Sequence, residues 1–422
     1  MNLPANLQRE WVESRPAVEP ASPRSGVRSG SDFAVMTYNL LNGAYCPKGA
    51  YSYCPDNLLT TGHRHPVLMD EVDHHVDADV ICFQEVDSKY YEDTLCPDME
   101  RRGYAGIFVV RPVDKFPADP VGKQPWTDGS ATFYRTARFH LENQGSGTFA
   151  DLLREMMESC KIDGEDADTV SKLIENTRVF LFTLLRCRQT GQLVAVGNVH
   201  FSCIYGMYKR LDMTAIQAAL AVRELVRFCA GTRAVHVLCG DFNLEPHQPG
   251  YQLLRDGRLS DDMAEYLQNL NPYDVENGQK ITSLIDVFPE AFGHPSASLQ
   301  SAYDAVLGHE PSFTNYEQGA SLCQTPEGAM PCSELQAKYD RELGYVRECP
   351  TEKFVATLDY IWYGSQTLQC RGVLKMVDED QVLPFHACPN AVFPSDHLSL
   401  KASFAFMVPA PTDLPDPLAL PQ

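Results

Sequence analysis

Runs of apolar, β-branched and aromatic residues recur along this chain, and a polar residue closes each of them. These runs predict β-strands at 33–41, 79–86, 106–112, 130–135, 180–187, 193–201, 234–242, 358–364 and 398–406. Apolar residues at three- and four-residue spacing predict helices at 65–77, 149–159, 209–229 and 250–256. Many short strands with helices between them favour an α/β (α+β) chain, in which two packed β-sheets form a sandwich flanked by helices.

The same pattern divides the chain into three parts. Residues 1–31 are rich in proline, serine and arginine, which predicts a disordered N-terminal segment. Residues 32–407 carry the predicted strands and form one large domain, with irregular insertions near 112–128 and 317–353. The prolines of residues 408–422 predict an extended tail.

Cysteine usage and apolar content bear on where the protein works. Residues 1–30 contain no apolar core of signal-peptide length, and we expect no membrane span. Several of the 14 cysteines, such as Cys82 and Cys239, lie inside predicted strands, which favours packed free thiols in a reducing compartment. We therefore expect an intracellular protein, most simply a cytoplasmic one. Its oligomeric state stays open.

The charge balance narrows the ways in which the protein could hold a polyanion. Its formal net charge is −21 at pH 7, whereas proteins that bind nucleic acid by counterion release present a basic surface. A nucleic-acid substrate would therefore need a bound divalent metal or a narrow basic approach. Cationic residues beside the motifs are candidates for that approach, namely Arg101, Arg102, Arg111, Arg135, Lys209 and Arg210, with His63 and Arg64.

Polar side chains that could share one ligand stand where the predicted strands end. They are Asn39, Glu85, Asn198, His200, Asp241, Asn243, Asp359, Asp396 and His397. Taken singly, such residues are more often strand-end amides, turn carboxylates or satisfied histidines. Together they need a common partner, and a hard divalent cation with a phosphate group supplies one. The pattern therefore favours phosphoester hydrolysis, with a carboxylate activating water and imidazoles donating hydrogen bonds to phosphoryl oxygens.

Six short motifs indicate a protein family with this chemistry. TYN (37–39), QEV (84–86), NVH (198–200), GDFN (240–243), LDYIW (358–362) and SDH (395–397) stand in the order seen in the endonuclease/exonuclease/phosphatase superfamily, which the chain resembles. Longer segments, such as GDFNLEPHQPGYQLLRDG (240–257) and FPSDHLSL (393–400), resemble one branch of it. That branch holds the carbon-catabolite-repressor deadenylases, nocturnin, Angel and 2′-phosphodiesterase. The resemblance spans about residues 32–407 and implies the endonuclease/exonuclease/phosphatase fold.

The resemblance also implies a role for each matching residue. Glu85 is the expected principal ligand of Mg²⁺, or alternatively of Mn²⁺, with Asn39 beside it. Asp241 is the expected water-activating carboxylate, and Asn243, His200 and Asp359 are expected around the phosphate and the metal. His397 is expected to bind phosphate, with Asp396 as its support. Asn198 and Phe354 are expected to contact the substrate, Phe354 by stacking on a base.

Two departures from the family pattern affect the expected substrate. After the NVH motif the chain continues FSCIYGMYKR (201–210), without the proline found in deadenylases, so base preference stays open. The segment before LDYIW is also enlarged, which leaves the assignment of Phe354 open. We further expect no leucine-rich-repeat docking region.

The expected function is a Mg²⁺-dependent phosphodiesterase, a 3′–5′ exoribonuclease of deadenylase type acting on RNA or nucleotide phosphoesters. Alternatives within the enzyme class are a 2′-phosphodiesterase, a nucleotide 2′-phosphatase, a 2′,3′-cyclic phosphatase and a sphingomyelinase-like lipid phosphodiesterase. A different class of protein, a catalytically silent module that binds RNA or a partner, is the remaining alternative.

Overall fold

Two β-sheets lie face to face at the centre of the protein. The structure, a computed structural model, describes residues 9–14, 32–46, 50–51, 54–75, 77–112, 127–174, 178–203, 210–269, 282–296, 299–318, 322–325, 328–331, 353–385 and 387–407. The strands are β1 (Trp11–Glu13), β2 (Phe33–Asn39), β3 (Val80–Gln84), β4 (Tyr104–Val110), β5 (Gly129–Arg135), β6 (Phe139–Thr148), β7 (Val179–Cys187), β8 (Leu193–His200), β9 (Val235–Asp241), β10 (Leu299–Ser301), β11 (Asn315–Gln318), β12 (Leu322–Thr325), β13 (Gly328–Pro331), β14 (Lys353–Ala356), β15 (Asp359–Gly364), β16 (Leu368–Leu374) and β17 (Leu400–Phe406).

The strand order explains how distant segments meet. One sheet has the order β1-β16-β17-β2-β3-β5-β4, and the other has the order β10-β15-β9-β8-β7-β6. In each sheet one pair of neighbours is parallel, β2 with β3 and β8 with β9. Two further pairs, β11 with β14 and β12 with β13, stand apart from the large sheets. The two parallel pairs end in Asn39, Gln84, His200 and Asp241, so residues of the predicted motifs terminate neighbouring strands.

Helices cover the outer faces of the sandwich. They are α1 (Thr61–His74), α2 (Ser88–Tyr90), α3 (Cys96–Arg101), α4 (Phe149–Cys160), α5 (Gly164–Ile174), α6 (Leu211–Phe228), α7 (Pro249–Asp256), α8 (Asp261–Asn269), α9 (Leu284–Val287), α10 (Ala302–Leu307) and α11 (Glu379–Val382). The long helix α6 packs on the second sheet through residues such as Ala218, Val222 and Leu225. Helices α1 and α3 pack on the first sheet. The predicted two-sheet sandwich flanked by helices is confirmed.

Both faces of the central strands pack against apolar residues. In β2, Phe33 and Val35 lie in the core between the sheets, whereas Met36 and Tyr38 lie in the cluster beneath α1. Strand β9 divides in the same way, with Val237 and Cys239 between the sheets. Because side chains alternate along a strand, a strand buried on both faces is a continuous apolar run. These were the runs that the sequence identified most closely.

The predicted disorder of residues 1–31 is wrong for residues 9–14. There, β1 adds an edge strand to the first sheet by pairing antiparallel with β16, Val12 opposite Val373. Trp11 closes over Gly372, where a Cβ atom would meet its indole at 2.8 Å, and Arg9 donates a 2.9 Å hydrogen bond to the Lys375 carbonyl. Three residues with no apolar run of their own give no strand pattern, so only the partner strand explains the pairing.

Several other predicted features fall outside the described residues. They are the rest of segment 1–31, the tail 408–422, and most of the insertions near 112–128 and 317–353, although the second contains the hairpin strands β12 and β13. The cysteines whose state the structure gives are free thiols, as predicted. Among the described helices, none combines the length and the apolar character that a membrane crossing requires. The predicted intracellular location stays a prediction.

Candidate active site

Three polar side chains stand level with one another at one end of the second sheet. His200 ends β8, Asp241 ends β9 and Asp359 begins β15, and the register places Asp241 directly beside both of the others. The Nε2 atom of His200 lies 3.5 Å from Oδ2 of Asp241. All three residues are almost fully buried. Charged groups buried this closely together cost free energy unless a ligand or mutual hydrogen bonds compensate them.

Gly240 allows the strands to approach closely at this end. Its φ is +142°, and a Cβ atom there would lie 1.9 Å from the Val199 carbonyl oxygen. Only glycine tolerates both the backbone conformation and the contact. Asn243, two residues beyond Asp241, has a left-handed φ of +48°. Its backbone N–H donates to Oδ1 of Asp241 at 2.9 Å, and its amide donates to the Phe201 carbonyl at 3.0 Å, so the GDFN turn fixes the carboxylate.

The first sheet contributes Asn39 and Glu85 to the same place. The Asn39 amide nitrogen donates to Oδ2 of Asp241 at 2.9 Å and to Oε1 of Glu85 at 3.2 Å. Glu85 follows β3 in a left-handed conformation, with a φ of +58°. Non-glycine residues held there are strained and are concentrated at functional sites. The Glu85 carboxylate also accepts the Asn42 backbone N–H at 3.0 Å, so its position is fixed from two sides.

His397 is oriented by Asp359, whereas Asp396 was the predicted support. The Nδ1 atom of His397 lies 2.7 Å from Oδ2 of Asp359. The same oxygen accepts a hydrogen bond from the Thr314 hydroxyl at 2.6 Å. The other ring nitrogen, Nε2, faces Oδ2 of Asp241 at 3.7 Å. Asp396 instead accepts hydrogen bonds from Ser395 and Tyr51. The prediction for Asp396 is wrong in this respect, because the carboxylate that holds the ring comes from β15 and not from the adjacent residue.

Burial and neighbouring charges shift the pKa values of the two site histidines in opposite directions. Burial raises the pKa of Asp241 to about 6. Burial, together with Arg178 and Arg111, keeps the pKa of His200 well below its usual value, so this imidazole is neutral. Burial also disfavours the protonated form of His397. The Asp359 and Asp241 carboxylates outweigh this effect and raise the pKa of His397 well above the ordinary value. The site therefore holds one neutral and one protonated imidazole around one carboxylate.

An arginine pair borders the site, and the sequence singled out one of its two members. Arg178 forms a 2.9 Å ion pair with the buried carboxylate of Asp128, and Arg111 lies 3.6 Å from the same carboxylate. The pKa of Glu85 is raised to about 7 by burial and then by Asp128 and Asp396, with Arg178 acting in the opposite direction. Arg111 was among the predicted cations. Arg178 was missed because it precedes β7, far along the chain from every motif.

The other predicted cations have local structural roles. Arg102 and Arg101 pair with Asp98, Arg210 pairs with Asp212, and Arg135 lies over the Tyr104 ring. Arg64 donates to backbone carbonyls of Leu41 and Pro394. Lys209 lies outside the described residues. Arg111 helps to lower the pKa of His200, and the narrow basic approach itself stays a prediction.

Asn198 was predicted to contact substrate, but the structure places it between the sheets. Its side chain accepts from the Gln84 amide at 2.8 Å and donates to the carbonyls of Phe83 and Ala131 at 3.2 and 3.0 Å. It is 0% exposed. Because its hydrogen bonds are made inside the protein and join β8 to β3 and β5, Asn198 links the sheets and cannot reach a ligand.

Replacing Asn198 with leucine is therefore expected to act on stability. The change removes the hydrogen-bond acceptor that β8 offers to the buried Gln84 amide and the side-chain donor to two carbonyls of the first sheet, which should lower the free energy of unfolding by about 3 kcal/mol. Urea unfolding measures the loss. The control Asn143→Leu, at an exposed position of β6, should stay within about 0.5 kcal/mol of wild type. If Asn198→Leu kept the wild-type stability but bound substrate more weakly, the prediction that Asn198 contacts the substrate would stand.

Phe354 lies half-buried on β14, directly opposite Glu317 of β11. Strand β11 is joined to the site, because Asn315 bridges to His397 and the Tyr316 backbone N–H donates to the Asp396 carbonyl at 2.9 Å. Phe354 is therefore two strands away from His397. Its base-stacking role stays a prediction.

The donor set suits a hard divalent cation. Ligand atoms of Asp241, Asp359 and His397 lie within 4.8 Å of one another. Oδ1 of Asp359 is buried and finds no hydrogen-bond partner in the described part of the chain. Because Nδ1 of His397 is occupied by its 2.7 Å contact with Oδ2 of Asp359, the ring suits a hydrogen-bonding role beside the ion. The carboxylates of Asp241, Asp359 and Glu85 remain, and oxygen atoms are the ligands that Mg²⁺ prefers.

The Asp359–His397 pair predicts a specific change in pH dependence. If the protonated imidazole contacts the phosphoryl group, turnover falls as pH rises through the raised pKa of His397. Asp359→Asn removes the nearest carboxylate that raises this pKa, so the alkaline limb of the kcat profile should move to lower pH. The comparison variant Asp396→Asn should move it less, because Asp396 makes no hydrogen bond to the ring. An unmoved limb in Asp359→Asn would show that another group titrates there.

The site and the fold together define a class of protein. The model of the Endonuclease/Exonuclease/phosphatase family matches residues 36–397. The chain belongs to this family, which confirms the expectation drawn from the motifs.

Curated relatives fall in the predicted branch. The chain is 25% identical over 389 residues to carbon catabolite repressor protein 4 homolog 1 of Arabidopsis thaliana, covering 89% of this chain and 58% of that protein. It is 29% identical over 400 residues to the CCR4-Not complex 3′-5′-exoribonuclease subunit Ccr4 of Yarrowia lipolytica, covering 89% and 48%. The chain thus spans about half the length of these relatives.

Solved structures share the fold. ANGEL2, described as a 2′,3′-cyclic phosphatase, superposes with a TM-score of 0.62 at 22% identity, covering 94% of this chain and 98% of that one. The human nocturnin catalytic domain superposes with a TM-score of 0.55 at 20% identity, covering 96% and 100%. Both confirm the two-sheet architecture.

Proposed function

We propose that this protein is a Mg²⁺-dependent phosphodiesterase that removes nucleotides from the 3′ end of RNA. The observation that carries the proposal is the meeting of His200, Asp241 and Asp359 with Asn39 and Glu85 at one end of the two sheets. Buried carboxylates can hold a metal ion and activate water, and imidazoles can donate hydrogen bonds to phosphoryl oxygens, so together they suit phosphoester hydrolysis.

Each residue has a role that follows from its surroundings. Asp241 orients the attacking water and accepts its proton, since a carboxylate with a pKa of about 6 is ionised near neutral pH yet basic enough to help. Protonated His397 donates to a non-bridging phosphoryl oxygen, and Asp359 holds it in that orientation. Neutral His200 donates a second hydrogen bond. Asn243 fixes the Asp241 carboxylate and borders the phosphate.

The ion is held mainly by Glu85. This carboxylate is fixed by Asn39 and by the Asn42 backbone N–H. Burial, Asp128 and Asp396 raise its pKa to about 7, and a cation bound beside it would favour the ionised form. The Asn39 amide also donates to Asp241, so one side chain fixes both the proposed metal ligand and the proposed water-activating carboxylate. Mg²⁺, when bound here, supplies positive charge to the phosphoryl oxygens and the leaving oxygen.

The RNA substrate rests on the curated relatives and on one aromatic side chain. Relatives named as 3′-5′-exoribonuclease subunits match 88–89% of the chain. Phe354 lies two strands from His397, where a stacked base could lie beside the scissile phosphate. Stacking tolerates any base and adds affinity without a basic surface, which suits a protein of net charge −21.

A substrate panel tests the choice of phosphoester. We expect the highest kcat/KM for oligo(A) with a 3′-hydroxyl, followed by 2′–5′ oligoadenylate, a 2′,3′-cyclic phosphate end, the 2′-phosphate of NADPH, and sphingomyelin vesicles. A tenfold higher kcat/KM for the cyclic phosphate would make the protein a cyclic phosphatase. Binding of oligo(A) without hydrolysis of any substrate would show a silent binding module.

A further inference from the structure

Thr127 has no part in the proposed chemistry, yet hydrogen bonds from two segments around the proposed metal ligand meet at it. Its backbone N–H and its hydroxyl both donate to Oδ2 of Asp87 at 3.0 Å, and its carbonyl accepts a hydrogen bond from the Asn42 amide at 2.6 Å. The same hydroxyl oxygen accepts the Ser88 backbone N–H at 2.7 Å. Thr127 therefore joins the segment that precedes β5 to the turn that follows Glu85 and to the segment that follows β2.

The backbone of Glu85 depends on contacts made directly after it. Its φ of +58° lies in the left-handed region, which is unfavourable for a residue with a Cβ atom and persists only where the surroundings hold it. The Val86 backbone N–H donates to the Gly129 carbonyl at 2.9 Å, and the Asp87 carboxylate accepts the two hydrogen bonds from Thr127. Because Thr127 and Gly129 belong to one short segment, that segment fixes the direction of the chain after Glu85.

The carboxylate of Glu85 is held through Asn42, and Asn42 is held through Thr127. The Asn42 backbone N–H donates to Oε2 of Glu85 at 3.0 Å. The Asn42 side chain fixes that backbone, since its amide nitrogen donates to the Thr127 carbonyl and its amide oxygen accepts the Ala44 backbone N–H at 2.9 Å. Asn42 is buried, so solvent competes little for these hydrogen bonds.

We propose that Thr127 is a positioning residue that sets the metal affinity of the site through Glu85. The proposal rests on the proposed function for the divalent cation and for Glu85 as its main ligand. Thr127 acts on Glu85 by two routes, through Asp87 on the backbone and through Asn42 on the carboxylate. Replacing a residue that holds a metal ligand in place typically weakens metal binding by about 10–100-fold. We therefore expect Thr127 to affect metal binding far more than turnover at saturating metal.

Thr127→Val tests the hydroxyl, because valine keeps the shape of the side chain and both backbone contacts. The dissociation constant of the full chain for Mg²⁺ is obtained from the rise of the melting temperature with Mg²⁺ concentration, which requires no catalysis. This constant, and the Mg²⁺ concentration for half-maximal turnover of oligo(A), should both increase about tenfold or more in Thr127→Val. The kcat at saturating Mg²⁺ should stay within about twofold of wild type. Thr127→Ser, which restores the hydroxyl, should return the dissociation constant to within about threefold of wild type.

The matched control is Thr232→Val, at the opposite end of β9 from Asp241. Thr232 is also half-buried, and its hydroxyl likewise donates one hydrogen bond, to the Cys229 carbonyl at 2.7 Å, and accepts a backbone N–H, from Ala234 at 3.3 Å. Thr232→Val should keep the wild-type dissociation constant for Mg²⁺, whatever its melting temperature in EDTA. An unchanged constant in Thr127→Val, or an equal increase in both variants, would overturn the proposal. A loss of kcat that saturating Mg²⁺ does not restore would also overturn it.

Metal binding and turnover, measured in parallel, separate this proposal from the proposed function. Weaker Mg²⁺ binding by Thr127→Val alone, without hydrolysis of oligo(A) by wild type, supports the positioning role and contradicts the proposed reaction. Hydrolysis of oligo(A) by wild type, with an unchanged dissociation constant in Thr127→Val, does the reverse.

Discussion

Asp241→Asn should lower kcat by at least about a hundredfold while substrate affinity changes little. The amide keeps the shape of the side chain and its contact with the Asn243 N–H, but it cannot accept a proton from water. General-base contributions are typically about 10²–10⁴-fold. The measurement is single-turnover cleavage of 5′-labelled oligo(A), with binding measured separately in Ca²⁺.

Stability provides the check that Asp241→Asn acts on chemistry. Because the folded-state pKa of Asp241 is raised above its unfolded value, the ionised carboxylate opposes folding at pH values above that unfolded pKa. Removing it should leave the melting temperature in EDTA at pH 8 unchanged or higher. The exposed control Asp262→Asn should keep full activity. A slower enzyme with a clearly lower melting temperature would instead indicate damage to the fold.

Glu85→Gln should abolish metal-dependent turnover, again by at least about a hundredfold, because it removes the negative charge of the proposed main ligand. A second readout does not depend on catalysis. A ligand that binds the folded state raises its stability as the concentration passes the Kd, so Mg²⁺ should raise the melting temperature of wild type. That rise should be lost in Glu85→Gln and kept in the exposed control Glu92→Gln. An equal Mg²⁺-dependent rise in all three proteins would place the ion elsewhere.

Much of the fold could be predicted because the central strands are buried on both faces. A strand such as β9 must then be an unbroken apolar run, and the first polar residue marks its end, where Asp241 stands. Strand β6 was missed because most of its residues are exposed or half-buried, so no run forms. Strand β1 was missed because its pairing depends on β16, more than 350 residues away.

Side-chain partnerships were harder to predict than the positions of the site residues. The motifs located Asp359 and His397, but sequence adjacency suggested Asp396 as the support for His397, whereas sheet register supplies Asp359. The same limit applies to Arg178 and Asp128, which pair across 50 residues without a shared motif. A polar residue at a strand end can face the site or the other sheet. Asn198 and His200 illustrate the difference, since they stand two residues apart in one strand.

The most direct test is a time course of 5′-labelled oligo(A) bearing a 3′-hydroxyl, with wild type and Asp241→Asn assayed side by side in Mg²⁺ and in EDTA. The proposed function predicts a ladder that shortens one nucleotide at a time with wild type in Mg²⁺. It predicts intact substrate with wild type in EDTA and at least about hundredfold slower shortening with Asp241→Asn. Equal shortening in EDTA, or by the variant, would contradict a metal-dependent phosphodiesterase at this site.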